Sequence, residues 1–267
     1  MKKALATWKW SLAVAARSPG PLLMLAVLVF LWGLGAYRWL WLPESSGLLL
    51  LVALVWGLAQ VLMLVGVLTG AAASAAEAAA ANPTHLGLRG FVGFNRRQFA
   101  RCAVALIVGA FLVLLLRELF SRSDDYALEV ASFLTFHSEK AVSPVDVAKV
   151  SWVIQAFLWI VMWGFLLSFL IVLLRAGWRE AGRQAARLLA NCCWRSSFLT
   201  SLLSVVVFGG LAYLLATWHP KVLAGFWDYA QMLLRMGGAL LLLVFGWLFW
   251  MLSLARLSLP PSADSTS

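Results

Sequence analysis

Residues 175–196 read RAGWREAGRQAARLLANCCWRS, and this stretch decides the fold. Arg175, Arg179, Arg183 and Arg187 recur every four residues. On a helix that spacing drifts slowly around one face, while Trp178, Leu188, Leu189 and Trp194 supply apolar surface. With Arg195 the stretch holds five arginines and a single acid, Glu180, too much charge for hydrocarbon but well suited to a charged membrane surface. Basic, apolar-flecked segments also precede the first apolar run (residues 2–17) and the third (residues 89–101). The chain therefore reads as three units, each a basic juxtamembrane segment followed by a pair of membrane-spanning helices.

Outward from that stretch, six runs are long and apolar enough to cross about 30 Å of hydrocarbon: residues 21–42, 47–72, 99–120, 150–174, 198–217 and 232–254. Composition agrees, with 63% hydrophobic and 12% charged residues and a mean hydropathy of +0.90. Soluble domains hold roughly 45–50% apolar residues. The fold class is an all-α membrane protein: six transmembrane helices with three basic amphipathic juxtamembrane segments on the inner face, forming one domain over residues 1–258. The longest interval between runs, 121–149, is 29 residues. That is below the roughly 40 a chain needs to fold unaided, so a separate soluble catalytic domain is not expected. Tyr126, Val130, Phe133 and Leu134 give that interval helical spacing, as an amphipathic segment on the outer surface. Residues 259–267 are polar and read as a disordered tail.

Charge sets the orientation. With the N-terminus inside, fourteen of the 21 Lys and Arg residues fall on the inner side and eight of the 11 Asp and Glu residues on the outer side. That bias places both termini in the cytoplasm. The net charge of +10 thus belongs to membrane orientation, and no nucleic-acid partner is expected. No secretory signal is apparent, so the first span reads as an uncleaved anchor. Cys102, Cys192 and Cys193 all fall at the reducing inner face. Cys192-Cys193 reads as small apolar packing at a helix entry in preference to an acylation site.

Chain features within the spans point to packing. Gly66, Gly70 and Ser74 have the small-xxx-small spacing that lets helices approach, and Gln60 near mid-membrane reads as interhelical glue. Span two continues into an Ala-rich stretch ending at Asn82-Pro83, one long helix projecting past the lipid. Residues 11–37 align with 187–213 at six positions, among them Gly33/Gly209 and Tyr37/Tyr213, which suggests a parallel repeat.

Catalytic signatures are absent from the sequence: no His-Glu-x-x-His, no Gly-x-Ser-x-Gly and no phosphate-binding glycine loop. Span cores hold no Asp, Glu, Lys, Arg or His, against the pattern of a proton-coupled carrier. Arg117, Glu118, His137, His219 and Asp228 form a candidate polar pocket at the outer face, weighed against scattered surface charges. No cofactor or metal is expected.

The segment ending Arg17-Ser-Pro-Gly-Pro21 ahead of span one, and Arg96-Arg97-Gln-Phe-Ala-Arg101 entering span three, resemble in layout uncharacterised bacterial six-span families akin to the membrane domain of some glycerophosphoryl diester phosphodiesterases. Those enzymes owe their activity to a barrel domain that has no counterpart here, so the resemblance implies a membrane fold and no activity. Fifteen Arg against six Lys suggests a GC-rich bacterial source, and with it the cytoplasmic membrane. The expected role is a non-enzymatic accessory or scaffold subunit that organises lipid or a protein partner. Arg175, Arg179, Arg183, Arg187 and Arg195 would contact anionic headgroups. The alternative is a permease component for a neutral or amphiphilic solute, with Gln60 and Gln155 lining a wet path.

Overall fold

The structure, a computed structural model, describes residues 2–41, 46–81, 83–88, 91, 95–136, 144–194, 196–218 and 226–259. Among these there are helices and no strands. In chain order they are α1 (Lys2–Ala16), α2 (Pro19–Leu40), α3 (Gly47–Ala81), α4 (Arg96–Ser121), α5 (Ser123–Phe136), α6 (Pro144–Ala176), α7 (Trp178–Trp194), α8 (Ser196–Leu203), a π-helical turn (Ser204–Gly209), α9 (Gly210–Thr217) and α10 (Phe226–Ser258). Six helical stretches are long and apolar enough to cross a membrane, with α8, the π turn and α9 together making the fifth. The protein is a multi-pass, all-helical membrane protein.

The spans fall where hydropathy puts them, but three helices run well beyond. α3 has 35 residues, and α6 and α10 have 33 each, against sequence-derived spans of 26, 25 and 23. At about 1.5 Å per residue these helices are about 50 Å long, some 20 Å more than a hydrocarbon core. For α3 the extension is the Ala-rich stretch, helical to Ala81. Four contacts place the chain's basic junctions at one end of the bundle. Ser18 accepts from the Leu86 amide at 2.8 Å, and Arg101 donates to the α6 terminus. Trp8 donates to Thr200 at 2.7 Å, and the Arg256 guanidinium lies 4.4 Å over the Trp10 ring. Both α1 and the end of α10 therefore share this basic end.

Burial is concentrated there. On α3 every buried residue except Ala53 lies between Val65 and Ala78, and on α10 all but one lie between Val244 and Ala255. Leu25, Ala72, Ile171, Met251 and Leu252 share one core at this end. The far halves leave large apolar side chains exposed, for example Leu48, Leu54, Ile107, Phe111, Trp152, Leu214 and Leu234. Lipid tails are as apolar as leucine, so nothing drives far-end side chains together. The core at the basic end forms where small residues such as Ala71, Ala72 and Ala75 let the helices approach closely.

α1, the first basic juxtamembrane segment, packs against the bundle. Its buried stripe is Ala4, Thr7, Ser11, Val14 and Ala15, small residues at helical spacing packed against α10. Leu5 and Leu12 stay exposed. α2 begins at Pro19, with proline in its first turn where the missing N–H costs nothing. α4 is capped by Asn95, whose side chain accepts from the Arg97 and Gln98 amides. In α5 the packed residue is Ala127, while Tyr126, Val130 and Phe133 point outward. Residues 137–143, the tail beyond Leu259 and much of the middle basic segment lie outside the described residues.

α2 and α3 form an antiparallel hairpin zipped by indoles. Trp32 donates to Gln60 O at 3.1 Å, Trp56 to Gly35 O at 2.9 Å and Trp39 to Ala53 O at 2.8 Å. The Trp39 ring also covers Gly57. In hydrocarbon each such bond contributes on the order of 1 kcal/mol, and the set fixes register.

Candidate lipid-contact site

The arginine helix is braced by its neighbours rather than laid alone on a surface. α6 ends at Ala176, and Gly177 turns the chain with φ of +87°, a conformation in which a side chain is strained. Its amide donates to Leu173 O at 3.0 Å, closing the last turn. Arg101, from the start of α4, donates through Nη1 to Leu173 O at 3.3 Å and Leu174 O at 3.2 Å. A guanidinium on terminal carbonyls answers the negative end of the helix dipole. Sequence reading had counted Arg101 only as an orientation charge; Gly177 just past an apolar run is the signal that a helix end needed such a cap.

From Gly177, α7 folds back across α6. The Trp178 ring lies 6.3 Å from Phe169, and Cys192 sits beside Gly164 and Ser168. Ala181, Leu188 and Cys192, at spacings of seven and four, are buried against α6. Burial pushes the Cys192 thiol up to about 11, slightly opposed by the Ser168 hydroxyl. That makes it a packing residue rather than a nucleophile. Arg179, Arg183 and Arg187 occupy the exposed side of α7, whereas Arg175 is exposed on the last turn of α6, across the Gly177 break, so the four arginines do not share one helical face. Glu180 is engaged locally: Gln184 donates to it and Arg183 lies 3.8 Å away in an exposed pair of little energetic weight. Arg195 falls outside the described residues.

The packing residues singled out in span two are placed unevenly. A side chain at Gly66 would meet nothing within 4 Å, whereas one at Gly70 would meet Phe91 O at 3.1 Å. Ser74 is buried, its hydroxyl without a hydrogen-bond partner. The Gln60 side chain packs directly on Gly35 of α2. Gln155 bonds back along its own helix to Ser151 at 3.4 Å. At the far end, Arg117, Glu118 and Asp228 are exposed, and Glu118 lies 3.5 Å from Arg122. His137 and His219 lie outside the described residues, and among those described no group of three His, Cys, Asp or Glu residues could hold a metal.

One feature escaped sequence reading altogether. Between helices α3, α4 and α6 lies a half-open cavity of about 530 Å³ at membrane depth, lined by apolar residues including Leu64, Leu106, Gly109, Trp163, Leu166 and Phe169. Ligand cavities commonly measure about 300–1,000 Å³. Along the same three helices toward the basic end lies a second recess of about 260 Å³. It is lined by Ala73, Ala76, Glu77, Ala80, Gln98, Leu174 and Arg175. From Leu68 to Ala73, Cys102 to Gln98, or Leu170 to Leu174, the step between the two is four or five residues on each helix, about 6–8 Å.

Comparison with protein-family models, with characterised proteins and with solved structures finds no match to this chain.

Proposed function

We propose that this chain is a non-enzymatic accessory or scaffold protein of a bacterial cytoplasmic membrane, organising anionic lipid, or an acidic partner, at the cytoplasmic surface. Both termini and the basic end would face the cytoplasm, as the excess of basic residues at that end requires. The layout shared with the membrane domain of glycerophosphoryl diester phosphodiesterases fits a membrane role and brings no activity with it. The observation that carries the reading is the arginine ladder of α7. Three guanidinium groups, those of Arg179, Arg183 and Arg187, stand exposed on one side of a helix whose other side is fixed to α6, and Arg175 is exposed at the end of α6 itself. A braced helix presents those charges without the entropy cost of ordering a free segment. Near an anionic leaflet each basic residue contributes on the order of 1 kcal/mol, decaying over a screening length of roughly 8–10 Å. The amides weigh against the permease reading, because Gln60 packs on Gly35 and Gln155 bonds to Ser151, and neither lines the two cavities between α3, α4 and α6.

The test is the combined change of Arg179, Arg183 and Arg187 to Gln. Anionic phospholipid retained after purification at low salt, counted by mass spectrometry, should fall at least about tenfold relative to wild type. Unchanged retention would reduce the ladder to an orientation signal.

A further inference from the structure

The cavity pair between α3, α4 and α6 has the layout of an amphiphile. Its larger part is lined almost wholly by apolar side chains, with the Cys102 thiol and the Trp163 indole among them, and lies at the depth of the spans, where the surrounding medium is acyl chain rather than water. Its smaller part, about 6–8 Å nearer the basic end by helical rise, has a different lining. There alanines leave space, Arg175 and Gln98 offer donors, and Glu77 offers a carboxylate. Glu77 and Arg175 line the same recess yet form no ion pair with each other. Two opposite charges held in one recess and not spent on one another complement a headgroup that carries both signs.

We infer that this crevice binds one phospholipid with an amine-bearing headgroup. One tail fills the cavity between α3, α4 and α6, the phosphate meets Arg175 and Gln98, and the ammonium meets Glu77. Arg101, committed to the carbonyls of Leu173 and Leu174, holds the α6 end in place and so fixes Arg175 relative to α4. The inference deepens the lipid-organising role proposed above, but it rests on different residues from the ladder of Arg179, Arg183 and Arg187.

The experiment uses delipidated full-length protein in detergent, offered phosphatidylethanolamine, phosphatidylglycerol or phosphatidylcholine of matched chains, with bound lipid counted by native mass spectrometry. One phosphatidylethanolamine should be retained in preference to the others. Ala105→Phe and Ala110→Phe, which fill the cavity, should each lower that retention about tenfold or more, whereas Ile107→Phe, a surface change outside the cavity lining, should not. Glu77→Gln should cut the preference for phosphatidylethanolamine over phosphatidylglycerol by about tenfold, the loss expected for a charged hydrogen bond. Equal retention of all three lipids, or a preference unmoved by Glu77→Gln, overturns the inference. So does undiminished binding in the Phe variants. Should a Phe variant fail to fold, the Glu77→Gln ratio decides alone. Loss of retained anionic lipid in the Arg179, Arg183 and Arg187 variant, with the crevice changes silent, would sink the crevice and leave the wider role standing.

Discussion

Gly246→Ala will destabilise the protein by about 2 kcal/mol, although it adds only one methyl group. A Cβ at this position of α10 would run into Phe208, striking its Cβ and Cγ. Those atoms sit at the root of the side chain, so no rotamer change clears them. Phe208 belongs to the π turn and is hemmed in by Phe245 at 5.5 Å and Phe249 at 5.4 Å between ring centroids. Relief therefore requires α10 and the π turn to move apart, with loss of the contacts that surround them. Thermal unfolding in detergent measures the effect. The double variant Gly246→Ala with Phe208→Gly should be less unstable than the two single changes summed, because the second removes both the Cβ and the Cγ that the first strikes. Simple additivity would mean that the two helices do not meet here.

Gly177→Val is the second large effect, expected at about 2–3 kcal/mol. An L-residue in the left-handed region costs roughly 1–2 kcal/mol, and branching at Cβ raises it. The new Cβ would also sit 3.3 Å from Arg101 Nη2, pressing on the guanidinium that caps α6. Arg101→Gln alone should cost about 1–3 kcal/mol through two lost charge-assisted bonds to carbonyls. Since both changes act on one helix terminus, the double variant should fall short of the sum. The same variants should loosen α7, which limited proteolysis near Gly182 would report as faster cleavage.

The six spans were legible because crossing hydrocarbon demands length and apolarity, and both can be counted from the sequence. Helix ends were less legible. The continuation of α3 through its Ala-rich stretch was legible and the helix does run to Ala81, whereas α6 and α10 gain most of their extra length at the far end, over 144–149 and 226–231, where polar residues lower the hydropathy without ending the helix. The docking of α1 was not legible either, because it rests on small side chains that face α10. Small-residue spacing marked Gly66 and Gly70, yet the glycine pressed against the root of a neighbouring side chain is Gly246, which has Leu242 and Trp250 four residues away on either side. Close contact is a property of two helices, and one sequence shows only one side of it. Of the proposed site, the arginine ladder could be read directly from its four-residue spacing. The crevice could not, because Glu77, Gln98 and Arg175 come from three helices far apart in the chain.

Everything functional here depends on which side of the membrane the basic end faces. Single cysteines at Ser46, Tyr126 and Ala186, each in a background with Cys102, Cys192 and Cys193 replaced by Ala, test it with a membrane-impermeant maleimide on intact cells. Ser46 and Tyr126 are exposed at the far end, and Ala186 is exposed on α7 at the basic end. Labelling at Ser46→Cys and Tyr126→Cys, with Ala186→Cys reacting only after the cells are lysed, is the result predicted. Labelling of Ala186→Cys on intact cells, with the other two silent, would put the arginines outside and contradict the account.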